Sequence, residues 1–261
     1  MQLKIFIKLN VPLTLPISYH HILQAVIYNL MGDANGNAIL HDGGEAYGKR
    51  NYKLFVFGLL EGLYKIENKK ITFFDNVSFE VRAFDENIIK TIEDNVLKNG
   101  IQFNNIKYDL VECSRRNTRI INDRLLIKMI SPVCVHKTQF DSNHTNYLNP
   151  FSPDFSNEIN NNFLRKYIAA GKVPAELSVE MPSELSTELH LEASDKELIT
   201  ISPFKVSTRD KYLTNYKKTI IEAYRGIYEL SGRPEYLDFL YNTGIGSKNS
   251  QGFGMFNIYN A

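Results

Sequence analysis

The chain has 261 residues, of which 43% are hydrophobic and 23% are charged, and its formal net charge at pH 7 is +1. That length suits one large domain or two small ones, with two slightly favoured, and the near-zero charge excludes a basic field over the whole molecule. Cys113 and Cys134 lack metal-ligand spacing and favour a reducing compartment. Because no signal peptide or membrane-length apolar run is present, we expect a cytoplasmic protein.

The first half of the chain has the pattern of a small α+β domain. Residues 3–9 alternate as a half-buried strand, whereas Pro12 and Pro16 predict that regular pairing stops there. Ser18 is expected to cap a helix over 19–31. Strands are predicted at 53–60, 71–74 and 77–83, a helix at 86–98, and a further strand or two up to Cys113. The resulting β-α-β-β-α-β order is the split unit of ferredoxin-like domains.

The second half repeats this order. Strand-like stretches occur at 125–130, 133–136, 187–193 and 219–230, helices are predicted at 157–170 and 234–241, and a last strand covers 255–259. The sequence therefore predicts two tandem ferredoxin-like (RRM-like) domains, residues 1–122 and 123–261, that meet near residues 115–130. The basic residues between Arg115 and Lys128 favour a solvated domain junction over a binding patch.

The most distinctive stretch is the glycine loop, residues 242–256. Gly244, Gly246, Gly252 and Gly254 bracket a polar centre formed by Ser247, Lys248, Asn249, Ser250 and Gln251. Such a loop can aim successive amide groups at an anion, and Lys248 adds a positive charge. A P-loop is excluded because Phe253 follows the third of these glycines, and a Rossmann turn is excluded because the loop follows a helix and precedes a strand. A phosphate nest and a plain glycine hairpin both remain open on spacing alone.

Several stretches in chain order carry a family resemblance: Leu15-Pro16 through Tyr19, Leu23-Gln24, Ile27-Tyr28, Leu40-His41, Lys53-Leu54-Phe55, Ser131-Pro132-Val133, Lys166-Tyr167 and the glycine loop. With these the chain resembles a CRISPR repeat-RNA endoribonuclease of the tandem ferredoxin-fold type, an enzyme that cuts precursor CRISPR RNA within its repeats. The resemblance favours the phosphate nest over the hairpin. It also implies that the partner of this chain is CRISPR repeat RNA, both as the precursor and as the mature guide RNA.

The resemblance further implies metal-independent transesterification with no cofactor and no metal. The matching catalytic positions are Tyr28, His41 and Lys53. The expected RNA contacts are Gly244, Gly246, Lys248, Asn249, Ser250, Gln251, Gly252 and Gly254. Other interpretations of the catalytic positions remain: a surface histidine, a core tyrosine and a solvated lysine, with Lys49 or Arg50 taking the place of Lys53.

Two rival functions follow from the same residues. One is a catalytically silent RNA-binding subunit, and the other is a metal-dependent hydrolase using His20, His41 and Asp42. Joint metal binding by His20 and His21 is not expected, because adjacent helix residues face apart. If local basic patches serve RNA, the candidate stretches are Arg165-Lys166, 209–218 and, as the less favoured interpretation of the domain junction, 115–128. A CRISPR effector complex is a further candidate partner, and monomer and homodimer both remain open.

Overall fold

A computed structural model describes residues 1–32, 45–47, 50–138, 145–176 and 196–259. The predicted strand at 187–193, like residues 33–44, lies outside the described residues. Among the described residues, no helix has both the length and the apolar content needed to span a membrane.

The described residues of the first half form a six-stranded antiparallel sheet, two small hairpins and two helices. The elements, in chain order, are β1 (Gln2–Lys8), β2 (Leu13–Pro16), α1 (His20–Leu30), β3 (Glu45–Tyr47), β4 (Arg50–Tyr52), β5 (Phe55–Phe57), β6 (Glu61–Glu67), β7 (Lys70–Ala83), α2 (Glu86–Asn99), β8 (Ile101–Phe103), β9 (Ile106–Tyr108) and β10 (Val111–Arg116). The two hairpins are β3–β4 and β8–β9.

The long strand β7 is the centre of this sheet. Strands β1 and β2 pair with one of its edges, β5 and β6 pair with the other, and β10 lies outside β1. The four principal strands of the split unit therefore lie side by side in the order β10, β1, β7 and β5 with β6. That is the fourth, first, third and second strand of a ferredoxin-like unit.

The second half repeats the arrangement. Its elements are β11 (Arg124–Met129), β12 (His136–Thr138), β13 (Thr145–Tyr147), α3 (Asp154–Ala169), β14 (Ile199–Lys205), β15 (Lys211–Tyr216), β16 (Thr219–Tyr224), β17 (Ile227–Gly232), α4 (Pro234–Thr243) and β18 (Phe256–Ile258). The sheet order is β14-β17-β11-β18, and β15 pairs with β16 as a separate hairpin. The tandem ferredoxin-like fold is confirmed. The boundary at residues 122/123, which falls between β10 and β11, stays a prediction.

Three local predictions need correction. The expectation that pairing stops at Pro12 and Pro16 was wrong, since β2 pairs with β7; its proline is the last residue of an edge strand, where a missing N–H is tolerated. Ser18 does not cap α1: the N-cap residue is Tyr19, and the Ser18 hydroxyl accepts a hydrogen bond from the Asn215 amide at 3.4 Å. The predicted strands at 71–74 and 77–83 form the single strand β7, which continues through Asp75 at φ 58°.

Each half has its own hydrophobic core, and a buried arginine joins the two halves. Arg82 of β7 is fully buried and donates from Nη1 to the Phe256 carbonyl oxygen at 2.6 Å. Its guanidinium lies 3.8 Å above the ring of Tyr241, and its Nε pairs with Glu80 at 2.5 Å. This contact links the first sheet to α4 and β18, the elements on either side of the glycine loop.

Candidate functional site

The glycine loop connects α4 to β18 and has an irregular backbone that its glycines permit. All four predicted glycines have positive φ, from 69° at Gly246 to 87° at Gly252, and Lys248 also lies in the left-handed region at 62°. The loop closes on itself through Ile245 N and Gly254 O at 2.9 Å. It also bonds to the segment after β11, where the Cys134 carbonyl oxygen accepts from Ser247 N at 2.8 Å.

The glycines are required by close approach of the protein's own atoms. A Cβ on Gly254 would lie 2.0 Å from the Ile245 carbonyl oxygen, and one on Gly246 would lie 2.6 Å from the Cys134 carbonyl oxygen. At Gly252 the obstacle is the ring of Phe57 in the first half, at 2.6 Å. The loop is therefore packed against both halves of the molecule.

The eight predicted RNA-contact positions fall into two groups. The four glycines and Asn249 are buried, and the Asn249 amide nitrogen donates to Ile245 O and Phe253 O, both at 3.0 Å. Lys248, Ser250 and Gln251 are half-buried and reach the surface. The first group shapes the loop, and the second group is partly exposed, although Gln251 Oε1 itself is buried.

Two of the three predicted catalytic residues lie together beside this loop. Lys53 Nζ donates to the Tyr28 hydroxyl at 3.0 Å and lies 4.9 Å from the centre of its ring. Burial raises the pKa of the Tyr28 hydroxyl, an effect opposed by hydrogen bonds with Ser250 and Gln24. At neutral pH the tyrosine is therefore a neutral phenol. The third residue, His41, lies outside the described residues, as do Asp42 and Lys49.

Helix α1 presents a polar stripe to the glycine loop at four-residue spacing: His20, Gln24 and Tyr28. Gln24 Nε2 donates to the Ser250 carbonyl oxygen at 2.6 Å. His20 Nδ1 lies 3.1 Å from the Gln251 carbonyl oxygen, so this nitrogen carries the proton, since a carbonyl can only accept. The stripe thus holds the loop by two consecutive backbone carbonyls.

The hairpin β15–β16 of the second half bonds to the same stripe. The Tyr212 hydroxyl lies 3.0 Å from His20 Nε2 and is the donor there, because the other ring nitrogen holds the imidazole proton. The Tyr216 hydroxyl donates to Gln24 Oε1. Burial lowers the pKa of His20 to about 4, so the imidazole is neutral at physiological pH. Both nitrogens of His20 are occupied, which argues against the metal-ligand role weighed for it.

Sequence reasoning assigned no role at the site to Gln24, Tyr212 or Tyr216. Gln24 had a detectable signal, because His20, Gln24 and Tyr28 recur every fourth residue beside the apolar stripe of α1. Tyr212 and Tyr216 had no comparable signal in the sequence, apart from lying in a strand. The hairpin ends at Lys217 and Lys218, which are both exposed.

One expected basic patch is absent at Arg165-Lys166. Lys166 is only 3% exposed, so it cannot offer its charge to RNA at the surface, and that expectation was wrong. The residue lies on the core face of α3, where its side chain points into the protein.

Comparison with known proteins identifies the family. The family model described as CRISPR associated protein Cas6, C-terminal, matches residues 114–258, more than half of the chain. The chain belongs to the CRISPR-associated Cas6 family. It is also similar to the CRISPR-associated endoribonuclease Cas6 1 of Methanocaldococcus jannaschii, at 24% identity over 260 residues that cover 92% of this chain and 86% of the relative. The Cas6 match includes the glycine loop, whereas Tyr28 and Lys53 precede it.

The Cas6 fold extends over the whole chain. A solved structure described as an RAMP protein binding different RNA substrates superposes with a TM-score of 0.74 at 18% identity, covering 100% of both chains. Another, described as the characterization of a Cas6-related gene from Pyrococcus furiosus, gives 0.73 at 18% identity and covers 100% of this chain and 98% of that one. At such low identity these likenesses show the fold.

Proposed function

We propose that this chain is an endoribonuclease that cuts precursor CRISPR RNA within its repeats, without a metal ion, and so generates mature guide RNA. The observation that carries the proposal is the pair formed by Lys53 and Tyr28, 3.0 Å apart, beside Ser250 of the glycine loop. The pair places a cation and a neutral hydroxyl at the edge of a loop that has half-exposed polar side chains. These groups can bind a phosphodiester through charge and hydrogen bonds. Membership of the Cas6 family supports this RNA as the substrate.

The reaction is an internal transesterification. The ribose 2′-OH loses its proton and attacks the adjacent phosphorus; the O2′–P bond forms, the P–O5′ bond breaks, and the 5′ oxygen takes up a proton. The products are a 2′,3′-cyclic phosphate and a 5′-OH. This chemistry needs a base, an acid and positive charge on the phosphorane.

We assign these tasks to three residues. Lys53 stabilises the charge on the phosphorane. Because burial raises its pKa, Tyr28 acts as a hydrogen-bond or proton donor rather than as the base. His41 is the central acid/base, since histidine, whose unperturbed pKa is ~6.5, is the side chain suited to exchanging protons at neutral pH.

Binding of the RNA backbone falls to the half-exposed part of the glycine loop. Lys248 and Ser250 offer a cation and a hydroxyl, Gln251 lies beside them with its Oε1 buried, and the buried glycines and Asn249 keep the loop in shape. Lys217 and Lys218 at the tip of β15–β16 add positive charge on the hairpin that bonds to α1. These local cations offset the near-zero net charge of the chain.

Incubation of the chain with the CRISPR repeat RNA of its own genome in excess EDTA tests the reaction class. Cleavage there, with a 2′,3′-cyclic phosphate end, is the expected result. A matched RNA with a 2′-deoxy sugar before the cut should bind equally and stay whole, since it lacks the nucleophile. Binding without cleavage of either RNA would instead identify a catalytically silent RNA-binding subunit, and loss of cleavage on chelation would identify a metal-dependent hydrolase.

Substitution of His41 separates binding from chemistry. General acid–base catalysis contributes about 10²–10⁴-fold, so His41→Ala should slow single-turnover cleavage by that factor. Affinity for repeat RNA should stay within about threefold, because a group acting in the transition state adds little to ground-state binding. A variant that cuts at the parental rate would remove His41 from the mechanism, and loss of binding would make it an RNA contact.

A further inference from the structure

Lys166 is a buried lysine that the proposed reaction does not use. It lies near the end of α3, is 3% exposed, and shares the core face of this helix with Phe163 and Tyr167. Its Nζ donates to the Gly244 carbonyl oxygen at 2.6 Å and to Asn249 Oδ1 at 3.0 Å. Within the described part of the chain no carboxylate lies within ion-pair distance of Nζ, so both of its partners are uncharged.

Such a residue is costly to bury. An ammonium removed from water without a counter-charge carries a large desolvation penalty, and burial lowers the pKa of Lys166 to about 7. A methionine of similar length would suit this position of the helix by packing alone. We therefore expect the two hydrogen bonds of Lys166 to offset this desolvation penalty by stabilising the conformation of the glycine loop.

Those bonds fix the orientation of the Asn249 amide. Because Asn249 Oδ1 accepts from Lys166, its Nδ2 must point the other way, where it donates to Ile245 O and Phe253 O. These carbonyls lie on the two opposite arms of the loop. Lys166 also donates to the Gly244 carbonyl oxygen at the start of the loop. The buried pair formed by Lys166 and Asn249 therefore links the beginning, the middle and the end of the glycine loop.

The segment held in this way is the part of the loop that faces α1. Asn249 begins the 3-10 turn Asn249–Gln251. The next two carbonyls, of Ser250 and Gln251, are the ones bonded by the α1 stripe. The Ser250 side chain in the same turn lies close enough to Tyr28 to oppose the rise that burial causes in the pKa of its hydroxyl. A shift of Asn249 would therefore move the loop side chain nearest the Tyr28 hydroxyl.

We propose that Lys166 is a positioning residue for the cleavage site, acting through Asn249 to hold Ser250 of the glycine loop against Tyr28. It touches neither RNA nor the reacting atoms. The expected effect of Lys166 on the cleavage rate rests on the proposed endoribonuclease function. The expected effect of Lys166 on the conformation of the loop does not.

The test compares Lys166→Met with Lys172→Met, a matched loss of a lysine that is exposed just beyond α3. Backbone deuterium exchange should rise at least about tenfold in the glycine loop of Lys166→Met and stay parental in α2. The single-turnover cleavage rate at saturating repeat RNA should fall on the order of 10- to 100-fold, because a small displacement of a group at the reacting site raises the activation barrier. Lys172→Met should match the parent in both measurements.

A double-variant cycle identifies the route of the effect. If Lys166 acts through Asn249, the variant carrying both Lys166→Met and Asn249→Ala should be no slower than the slower single variant. Multiplied losses would show that the two residues act separately and would overturn the proposal. Should Lys166→Met not fold, Lys166→Gln, which keeps a neutral donor on a shorter stem, is expected to loosen the loop and slow cleavage to a smaller degree.

Two further results would contradict the positioning role. One is a folded Lys166→Met chain with parental exchange in the loop, and the other is an equal rise of exchange in the loop and in α2, which indicates general loosening. If the parent itself leaves repeat RNA uncut, the proposed function fails. The exchange comparison would then still decide whether Lys166 holds the loop.

Discussion

Replacing Gly254 by alanine should disrupt the glycine loop far more than a typical glycine substitution. The new Cβ would lie 2.0 Å from the Ile245 carbonyl oxygen and 2.7 Å from Asn249 Nδ2, with the backbone at φ +81°. Both neighbours belong to the network that shapes the loop, because Asn249 Nδ2 donates to this same carbonyl at 3.0 Å. The methyl group therefore cannot be accommodated without breaking that bond.

The magnitude follows from three contributions. Left-handed backbone costs an alanine about 1 kcal/mol relative to glycine. Overpacking adds about 1–3 kcal/mol, and loss of one buried hydrogen bond adds about 1 kcal/mol. The free energy of unfolding should therefore fall by about 3–5 kcal/mol. For a chain of this size that corresponds to a decrease in melting temperature on the order of 10 °C.

Gly171→Ala is the matched control. Gly171 has φ +70°, and a Cβ there would meet nothing within 4 Å, so this variant retains only the conformational strain. Thermal and urea unfolding of both variants should give a loss near 1 kcal/mol at Gly171, equal to the strain contribution alone. Equal destabilisation at the two positions would refute the packing argument and leave the loop as an ordinary hairpin.

Three further predictions concern the site and the link between the halves. Tyr28→Phe removes the hydroxyl of a half-buried tyrosine and should slow single-turnover cleavage at least about 10²-fold, whereas Tyr64→Phe, at an exposed tyrosine, should leave the rate unchanged. Lys248→Ala should weaken RNA binding and reduce the slope of log K against log salt by about 0.7 in titrations, and Lys65→Ala should not. Arg82→Met should lower the free energy of unfolding in urea by about 3–5 kcal/mol, since it breaks a buried ion pair and the contact between the halves.

The sequence predicted the elements whose burial follows a clear period. The four long helices of the described residues were predicted close to their bounds, because each has an apolar stripe with a recognisable end, such as Gly100 after α2. Strand β6 gave no such signal: all seven of its residues are exposed, so no alternation marks it. Strand β2 was missed because prolines were taken to forbid pairing that an edge position tolerates.

The candidate site was predictable only in part. Tyr28, Lys53 and the glycine loop were named from short stretches, and the structure brings them together. What local pattern could not supply is the set of long-range bonds. Gln24 meets Tyr216 across 192 positions of the chain, and Lys166 meets Asn249 across 83. A basic residue beside Arg165 suggested a surface patch because sequence alone does not show which way a lysine points.

The site is a composite of the two halves, and this explains why a buried arginine joins them. Tyr28 and Lys53 belong to the first half, while Ser250, which is bonded by Gln24 of the same helix as Tyr28, belongs to a loop of the second. That loop is bounded by α4 and β18, whose Tyr241 and Phe256 carbonyls both face Arg82. Rotation of one half against the other would therefore change the position of the glycine loop relative to α1. A firm link between the halves is thus a condition for the geometry of the site, beyond any contribution to stability.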